Sequence, residues 1–433
     1  MPLVEDLLIA RGVALNLWRS RMNRREVARR SAAAPKLAAR SIRIAVYFAD
    51  ADVNLYQIRQ WYGPLAALSK KWPTAIISRS PGAAIALMDE SPVPTVYLRQ
   101  VVELEQFLAE QQVQIVLYVN QNSRNFQMMR YSRMWHVFIN HGESDKMYMT
   151  TNQFKAYDYC LVAGKAAIDR LSRKLWDFDI AKRVIEIGRP QSDHLVGISP
   201  YELDDRTVVL YAPTWEGDRA AAAYGSIASH GVALIEALTT THRHRLIYRP
   251  HPRSGLLDPA YKAADQKIRS LLTVANAADP AAQHLIDTSV ELGWQLVAAD
   301  MAITDISAMV YDRLATGRPL VITRPVSAAA EVDGTGFLGD ADWLEASDAA
   351  DIVAVLDRVV ASEDSRANLD RWVDWHFGDT TFGRSTERFH AAVDRLVAEW
   401  ERHAELHSGD VDDPDDRDET PDDGDDEQVI RHR

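Results

Sequence analysis

The chain has 433 residues, 47% of them apolar, a formal net charge of −13 and a single cysteine. That length exceeds one ordinary core and fits two domains of roughly 150–200 residues each. Cys160 forms no internal disulfide and suits a reducing cytosol, no run approaches the ~20 apolar residues of a membrane span, and an acidic body lacks the basic footprint of nucleic-acid binding.

Residues 1–40 carry nine Arg and Lys against three Asp and Glu. Leu3, Leu7, Leu8, Leu15, Trp18 and Met22 recur at helical spacing, so this arm reads as a basic amphipathic helix. Arg11, Arg19 and Arg21 interrupt the apolar run that a signal peptide needs. The arm either lies in a membrane interface, with residues 1–30 on anionic headgroups, or docks on the domain that follows. The protein is therefore expected inside the cell, at the inner face of its membrane.

From residue 42 short apolar runs alternate with helical patterns. IRIAVYFAD, TAIISRS, TVYLRQ, QIVLYVN, MWHVFIN, YDYCLVAG and VIEIGRP read as strands, and AAIDRLSRKLW between the last two as a helix. The alternation predicts a parallel sheet covered on both faces, the first α/β domain, over 41–200. After the turn-rich ISPYELDD a second series follows, TVVLYAP, HRLIYRPHP, HLIDTS, MAITDIS and PLVITRP. It predicts a second α/β domain over 201–408, closed by two helices. Two such halves place their default site in a central cleft, beyond the carboxyl ends of the strands. The tail, 409–433, holds twelve acids and three bases and is expected to be disordered.

Strand ends carry the chemistry. In VFINHGESDK, Gly142 allows a sharp turn, and His141 before it points to the cleft as a group that can take a proton from a hydroxyl. Lys146 supplies positive charge to a phosphate. A turn-capping histidine is the plain alternative. In LIYRPHPRSG, Arg249, His251 and Arg253 alternate on a stretch stiffened by Pro250 and Pro252, a pattern suited to a diphosphate. In MAITDISAMVYD, Asp305 or Ser307 caps a helix whose N-terminus suits an anion, and Asp312 can reach ribose hydroxyls. Capping alone accounts for the first two. Thr214 and Trp215 in YAPTWEG, and Arg189 and Asp193 in IGRPQSD, can line the cleft or merely make turns.

Two patterns are set aside. DGTGFLG holds G-x-G-x-x-G but follows no strand. Asp50-Ala51-Asp52 looks like a metal-holding pair but has no further ligands nearby in sequence. No zinc spacing, Walker loop or nucleophile elbow is present, so neither metal nor cofactor is expected.

Taken in order, these motifs resemble the CDP-glycerol glycerophosphotransferase family, the teichoic-acid primases and polymerases. Its strand-end His-Gly followed by a lysine corresponds to His141, Gly142 and Lys146, with Glu143, Ser144 and Asp145 departing from the family's neutral residues. Its Gly-x-Pro-Arg-Asn-Asp looks like Gly188 to Asp193, and its Tyr-Ala-Pro-Thr-Trp is present as Tyr211 to Trp215. Its Pro-His-Pro is present as Pro250 to Pro252. Its acidic-serine helix start is similar to Thr304 to Ser307 with Asp312, and its terminal signature has a loose counterpart in Gly378-Asp379 and Ser385 to Arg388. The resemblance implies a GT-B-like fold of two Rossmann-like domains. It implies transfer of a polyol phosphate from CDP-glycerol, or a similar CDP-polyol, to a lipid-linked or polymeric glycan acceptor, with CMP released. His141 would be the base, with His251 and Arg253 on the diphosphate. A nucleotide-sugar glycosyltransferase on the same fold, or a scaffold without activity, are the competing readings.

Overall fold

The computed structural model describes residues 2–142, 151–195, 197–202, 204–289, 292–332, 334 and 336–408, with the side chains of the first helix from Trp18 onward. Lys146 and the acidic tail, 409–433, lie outside the described residues.

Seven parallel strands make the first sheet: β1 (Ile44–Phe48), β2 (Thr74–Ser78), β3 (Thr95–Tyr97), β4 (Ile115–Tyr118), β5 (Trp135–Phe138), β6 (Tyr159–Val162) and β7 (Val184–Glu186). They lie in the order 3-2-1-4-5-6-7. Six more make the second: β8 (Thr207–Ala212), β9 (His244–Tyr248), β10 (Leu285–Ile286), β11 (Met301–Thr304), β12 (Leu320–Thr323) and β13 (Asp342–Leu344). Their order, 10-9-8-11-12-13, repeats the first arrangement. The chain thus reverses direction between β1 and β4 in one sheet, and between β8 and β11 in the other. Each reversal opens a crevice at the carboxyl ends of the strands.

The apolar runs bury both faces. Ile44, Val46 and Phe48 of β1 point into one core and Ala45 and Tyr47 into the opposite one, the period-2 alternation of a strand between two helical layers. Val209 and Tyr211 of β8 face one core of the second sheet, and Val208, Leu210 and Ala212 the other. This is the expected GT-B-like α/β fold of two Rossmann-like units. Among the described residues the one strand not foreseen is β13, three residues at a sheet edge.

The first helix, Pro2–Ala33, is anchored at its C-terminal end. Val27 is fully buried, and Arg30 pairs with Asp89 of the helix Pro81–Glu90. Earlier along the helix, Trp18 and Met22 stand exposed. The last helix, Arg384–Leu406, was expected with the second half. It packs instead on the first sheet: Phe389, Val393, Leu396 and Val397 join the core of Ile44, Val46 and Phe48, and Trp61 stacks near Phe389 at 5.3 Å.

Candidate active site

A large cavity, about 2240 Å³, runs between the two sheets at their carboxyl ends. The second unit supplies the loops after β8, β9, β10 and β11. The first supplies Ala166, Asp169, Arg170, Arg173 and Lys174, one stripe of the helix Lys165–Lys174. The other stripe of that helix buries Ala167 and Leu171 in the first core, so the same ten residues build a core and a cationic wall.

His251 lines this cavity. It follows β9, and its Nδ1 accepts the Arg253 backbone N–H at 3.1 Å. That bond places the ring proton on Nε2, so neutral His251 is a donor at its outer edge. Burial, then the nearby Arg253 charge, holds its pKa below the ordinary value. Trp215 stacks on His251 at 6.3 Å and carries the Arg253 guanidinium 3.7 Å from its ring centre. Arg253, expected on the diphosphate, is thus placed on Trp215 and not among the residues lining the cavity. Glu216 fixes the loop that bears these groups. Its carboxylate accepts the backbone N–H of Gly255, Leu257 and Asp258 at 3.0, 2.8 and 3.1 Å.

Arg249 lines the cavity and pairs with Asp287, which follows β10. Asp287 also accepts from Gln295 at 2.7 Å and the Ser289 hydroxyl at 2.6 Å. Thr214, Trp215, Ser307 and Asp312 line the same space. Ser307 caps the helix Ala308–Leu314 by accepting the Met309 N–H at 3.2 Å. Asp305 does not reach the cavity. It is fully buried and accepts Thr214 N–H at 2.7 Å, Ser226 N–H at 3.0 Å and the Thr323 hydroxyl at 2.5 Å. It ties the ends of β8, β11 and β12 together rather than presenting a face to a ligand. Burial outweighs those bonds and pushes its pKa up to about 6.

His141 belongs to the neighbouring region. The turn after β5 is made by Asn140, at φ 55°, and not by Gly142 as expected. Asparagine tolerates that left-handed geometry by bonding locally, here to the Gly142 carbonyl. A Cβ on Gly142 would meet nothing closer than 3.8 Å. His141 Nδ1 donates to the Val119 carbonyl at 2.9 Å. Its Nε2 is therefore the acceptor end of the neutral ring, and Tyr56 stands edge-on to it at 5.9 Å.

A smaller cavity, about 50 Å³, is lined by Asn140, Gly142, Arg170 and Arg189. Arg170 lines both cavities, and Arg189 pairs with Asp312 across the two units. His251 lines the large cavity; His141 lines neither, though its neighbours Asn140 and Gly142 line the smaller one. Asp312, expected on ribose, is held by Arg189 here. Asp193 lines neither: one oxygen accepts Gly383 N–H at 2.9 Å and the other Thr386 N–H at 2.7 Å, so it caps the last helix.

Residues 139–325 match the sequence profile of a family described as CDP-glycerol:poly(glycerophosphate) glycerophosphotransferase. The matched segment runs from the end of β5 to just past β12 and so takes in both strand-end histidines. No curated protein matches the sequence. Among solved structures, wall teichoic acid polymerase TagF soaked with CDPG is 14% identical with a TM-score of 0.51, covering 92% of this chain and 98% of its own. A UDP-GlcNAc 2-epimerase from Neisseria meningitidis bound to UDP-GlcNAc is 11% identical with a TM-score of 0.55, covering 83% of this chain and all of its own. A structure described as a UDP-N-acetylglucosamine 2-epimerase from Listeria monocytogenes is 14% identical with a TM-score of 0.54, covering 83% and 97%. These likenesses establish the fold. The sequence motifs missed Glu216, Asp287 and the cations of the helix Lys165–Lys174. Glu216 directly follows the Tyr-Ala-Pro-Thr-Trp run, and Asp287 is the first polar residue after β10. Both were readable as strand-end polar groups.

Proposed function

We propose that the enzyme moves a glycerol phosphate, or a related polyol phosphate, from a CDP-alcohol to a hydroxyl of a lipid-linked or polymeric cell-wall glycan and releases CMP. The observation that carries this reading is the opposed state of two strand-end histidines. His141 donates inward through Nδ1 to a carbonyl, which in the neutral ring makes Nε2 the basic nitrogen; His251 accepts inward from an N–H and keeps a donor.

That pairing suits a displacement at phosphorus. The acceptor hydroxyl attacks the phosphorus that bears the polyol, and its proton passes to His141 Nε2. The bond from that phosphorus to the oxygen bridging it to CMP breaks as the new O–P bond forms. His251 Nε2–H donates to the departing phosphate, while Arg249 balances charge on the diphosphate. General-base help of this kind contributes about 10²–10⁴-fold, and positioned cations supply much of the rest. Gly142, Thr214, Trp215, Ser307 and Asp312 shape the donor's surroundings in this reading. Lys146, outside the described residues, is the sequence's candidate for supplying positive charge to a phosphate.

Attachment to an anionic membrane face belongs to the same proposal. Trp18 is 59% and Met22 44% exposed, on the helix segment that also carries Arg19, Arg21, Arg24 and Arg25. Aromatic and cationic side chains together on an exposed stretch of helix suit a headgroup layer.

The deciding experiment offers the purified chain a panel of CDP-polyols and nucleotide sugars and scores the nucleotide freed. CMP appearing only with a CDP-polyol sustains the proposal. UDP release overturns it in favour of sugar transfer, and no release from any donor overturns it in favour of a scaffold.

A further inference from the structure

At the chain reversal of the first sheet lies a polar group that the transfer chemistry leaves unused. β1 pairs with β4 through Val46 and Leu117, and β4 with β5 through Leu117 and Val137. Three neighbouring parallel strands therefore end side by side, in Asp50, Asn120 and His141. Adjacent strands are about 4.8 Å apart, so the three ends span about 10 Å, the width of one polyol or one sugar ring.

The side chains there form one connected set. Asn120 Nδ2 donates to Asp50 Oδ2 at 3.2 Å and to Gln57 Oε1 at 2.6 Å. Asn54 Nδ2 and the Ala51 N–H both bond Asp50 Oδ1, each at 2.9 Å. The set touches the proposed base at two places. Val119, one residue before Asn120, accepts from His141; Tyr56, one residue before Gln57, faces the His141 ring.

We propose that Asp50, Gln57 and Asn120 form the subsite for the acceptor's terminal unit, and that they select a unit ending in a vicinal diol. The proposal deepens the transfer reading above and rests on it. Asp50 Oδ2 and Gln57 Oε1 share a single donor, so each retains a lone pair while lying close to the other. Two neighbouring acceptor oxygens match two hydroxyls on adjacent carbons. The carboxylate charge at the same place disfavours a terminal phosphate and favours an uncharged hydroxyl end. A diol gripped there presents one of its oxygens toward the strand end that carries His141. The Asp50-Ala51-Asp52 pattern, set aside as a metal pair, finds its use here through Asp50.

Two acceptor probes test this with the full chain and CDP-glycerol. Hexyl glycerol phosphodiester ends in a vicinal diol, and the hexyl phosphodiester of 1,3-propanediol ends in a lone hydroxyl. The wild type is expected to favour the first at least about tenfold in kcat/KM, the worth of one hydrogen bond to a charged group. Asp50→Asn and Gln57→Ala should each bring that ratio to within about twofold. A merely structural role lowers both probes alike and leaves the ratio standing, which overturns the proposal. Saturation-transfer NMR of the diol probe, without any donor, gives a second readout. Its signal should vanish in Asn120→Ala, and its persistence in all three variants overturns the subsite. Release of UDP in the donor panel, with probe binding still lost in the variants, removes the donor reading and leaves the subsite in place.

Discussion

Asp305 shows how one carboxylate can hold a site it never touches. Its bonds reach a loop residue after β8, the start of a helix and a residue of β12. Asp305→Ala leaves two buried backbone N–H groups unpaired, and the expected loss is about 3–5 kcal/mol. Asp305→Asn should cost less than half as much. Its amide oxygen can serve both N–H groups, and the Thr323 hydroxyl can turn toward the Thr304 carbonyl, 3.5 Å away, and accept from the new amide. Urea unfolding of the two variants checks the order; equal losses would show that charge, not bonding, is what matters there. The residue scale is also where the sequence said least. A strand-end aspartate aimed at a ligand and one aimed at backbone amides look alike in a sequence, and Asp193 and Asp305 were both read toward the ligand. His141 and His251 were legible as strand-end imidazoles. Their tautomers were not, because each is set by a backbone group on another segment or two residues away.

At the scale of elements, the strands were legible because each is a short apolar run between turn residues, long enough to be buried on both faces. β13 was not: three residues at an edge, Asp342 to Leu344, carry no period. The last helix was legible as a helix, but periodicity tells which face is apolar and not what covers it. Its attachment depends on Asp193, from a segment nearly two hundred residues earlier. Asp193→Ala removes a cap worth about 1–2 kcal/mol. Hydrogen exchange in the first turn, Arg384 to Glu387, is expected to quicken about tenfold or more, while β8 to β12 keep their protection. Uniform quickening across both sheets would mean that the cap supports the whole fold.

At the scale of the whole molecule, the two units meet through the Arg189–Asp312 pair beside the cleft. Both side chains are largely buried, so a double-mutant cycle with Arg189→Ala and Asp312→Ala should show a coupling of about 1–3 kcal/mol in unfolding. A coupling near zero would mean that packing alone fixes the units. Acid stability is a second whole-molecule property. Burial lowers the pKa of His136, His194, His230, His244, His251, His284 and His390. A histidine whose folded pKa is depressed binds its proton more readily when unfolded, so stability falls as pH drops below the unfolded value near 6.5. His284, held at about 4, contributes a loss of up to about 3 kcal/mol once pH is below both values. Asp305, raised to about 6, opposes this by taking up a proton in the folded state, but it is one group against seven. The melting temperature should therefore fall steadily between pH 7 and pH 4.5, and a flat profile would contradict the assignment of these rings as neutral and buried.

The polypeptide leaves the first sheet after β7 and comes back at Gly378 to Gly383, so the second unit is inserted into the first and strapped at both ends. Arg388 sits where the two straps pass. It donates to the Phe377 and Asp379 carbonyls at 3.0 and 2.8 Å, and a methyl on Gly188 would lie 2.1 Å from its Nη2. Both straps are pinned at one spot, which restrains independent sliding or twisting of the halves. Their relative motion reduces to rotation about a single pivot, and one pair of fluorescent labels across the gap is enough to follow it.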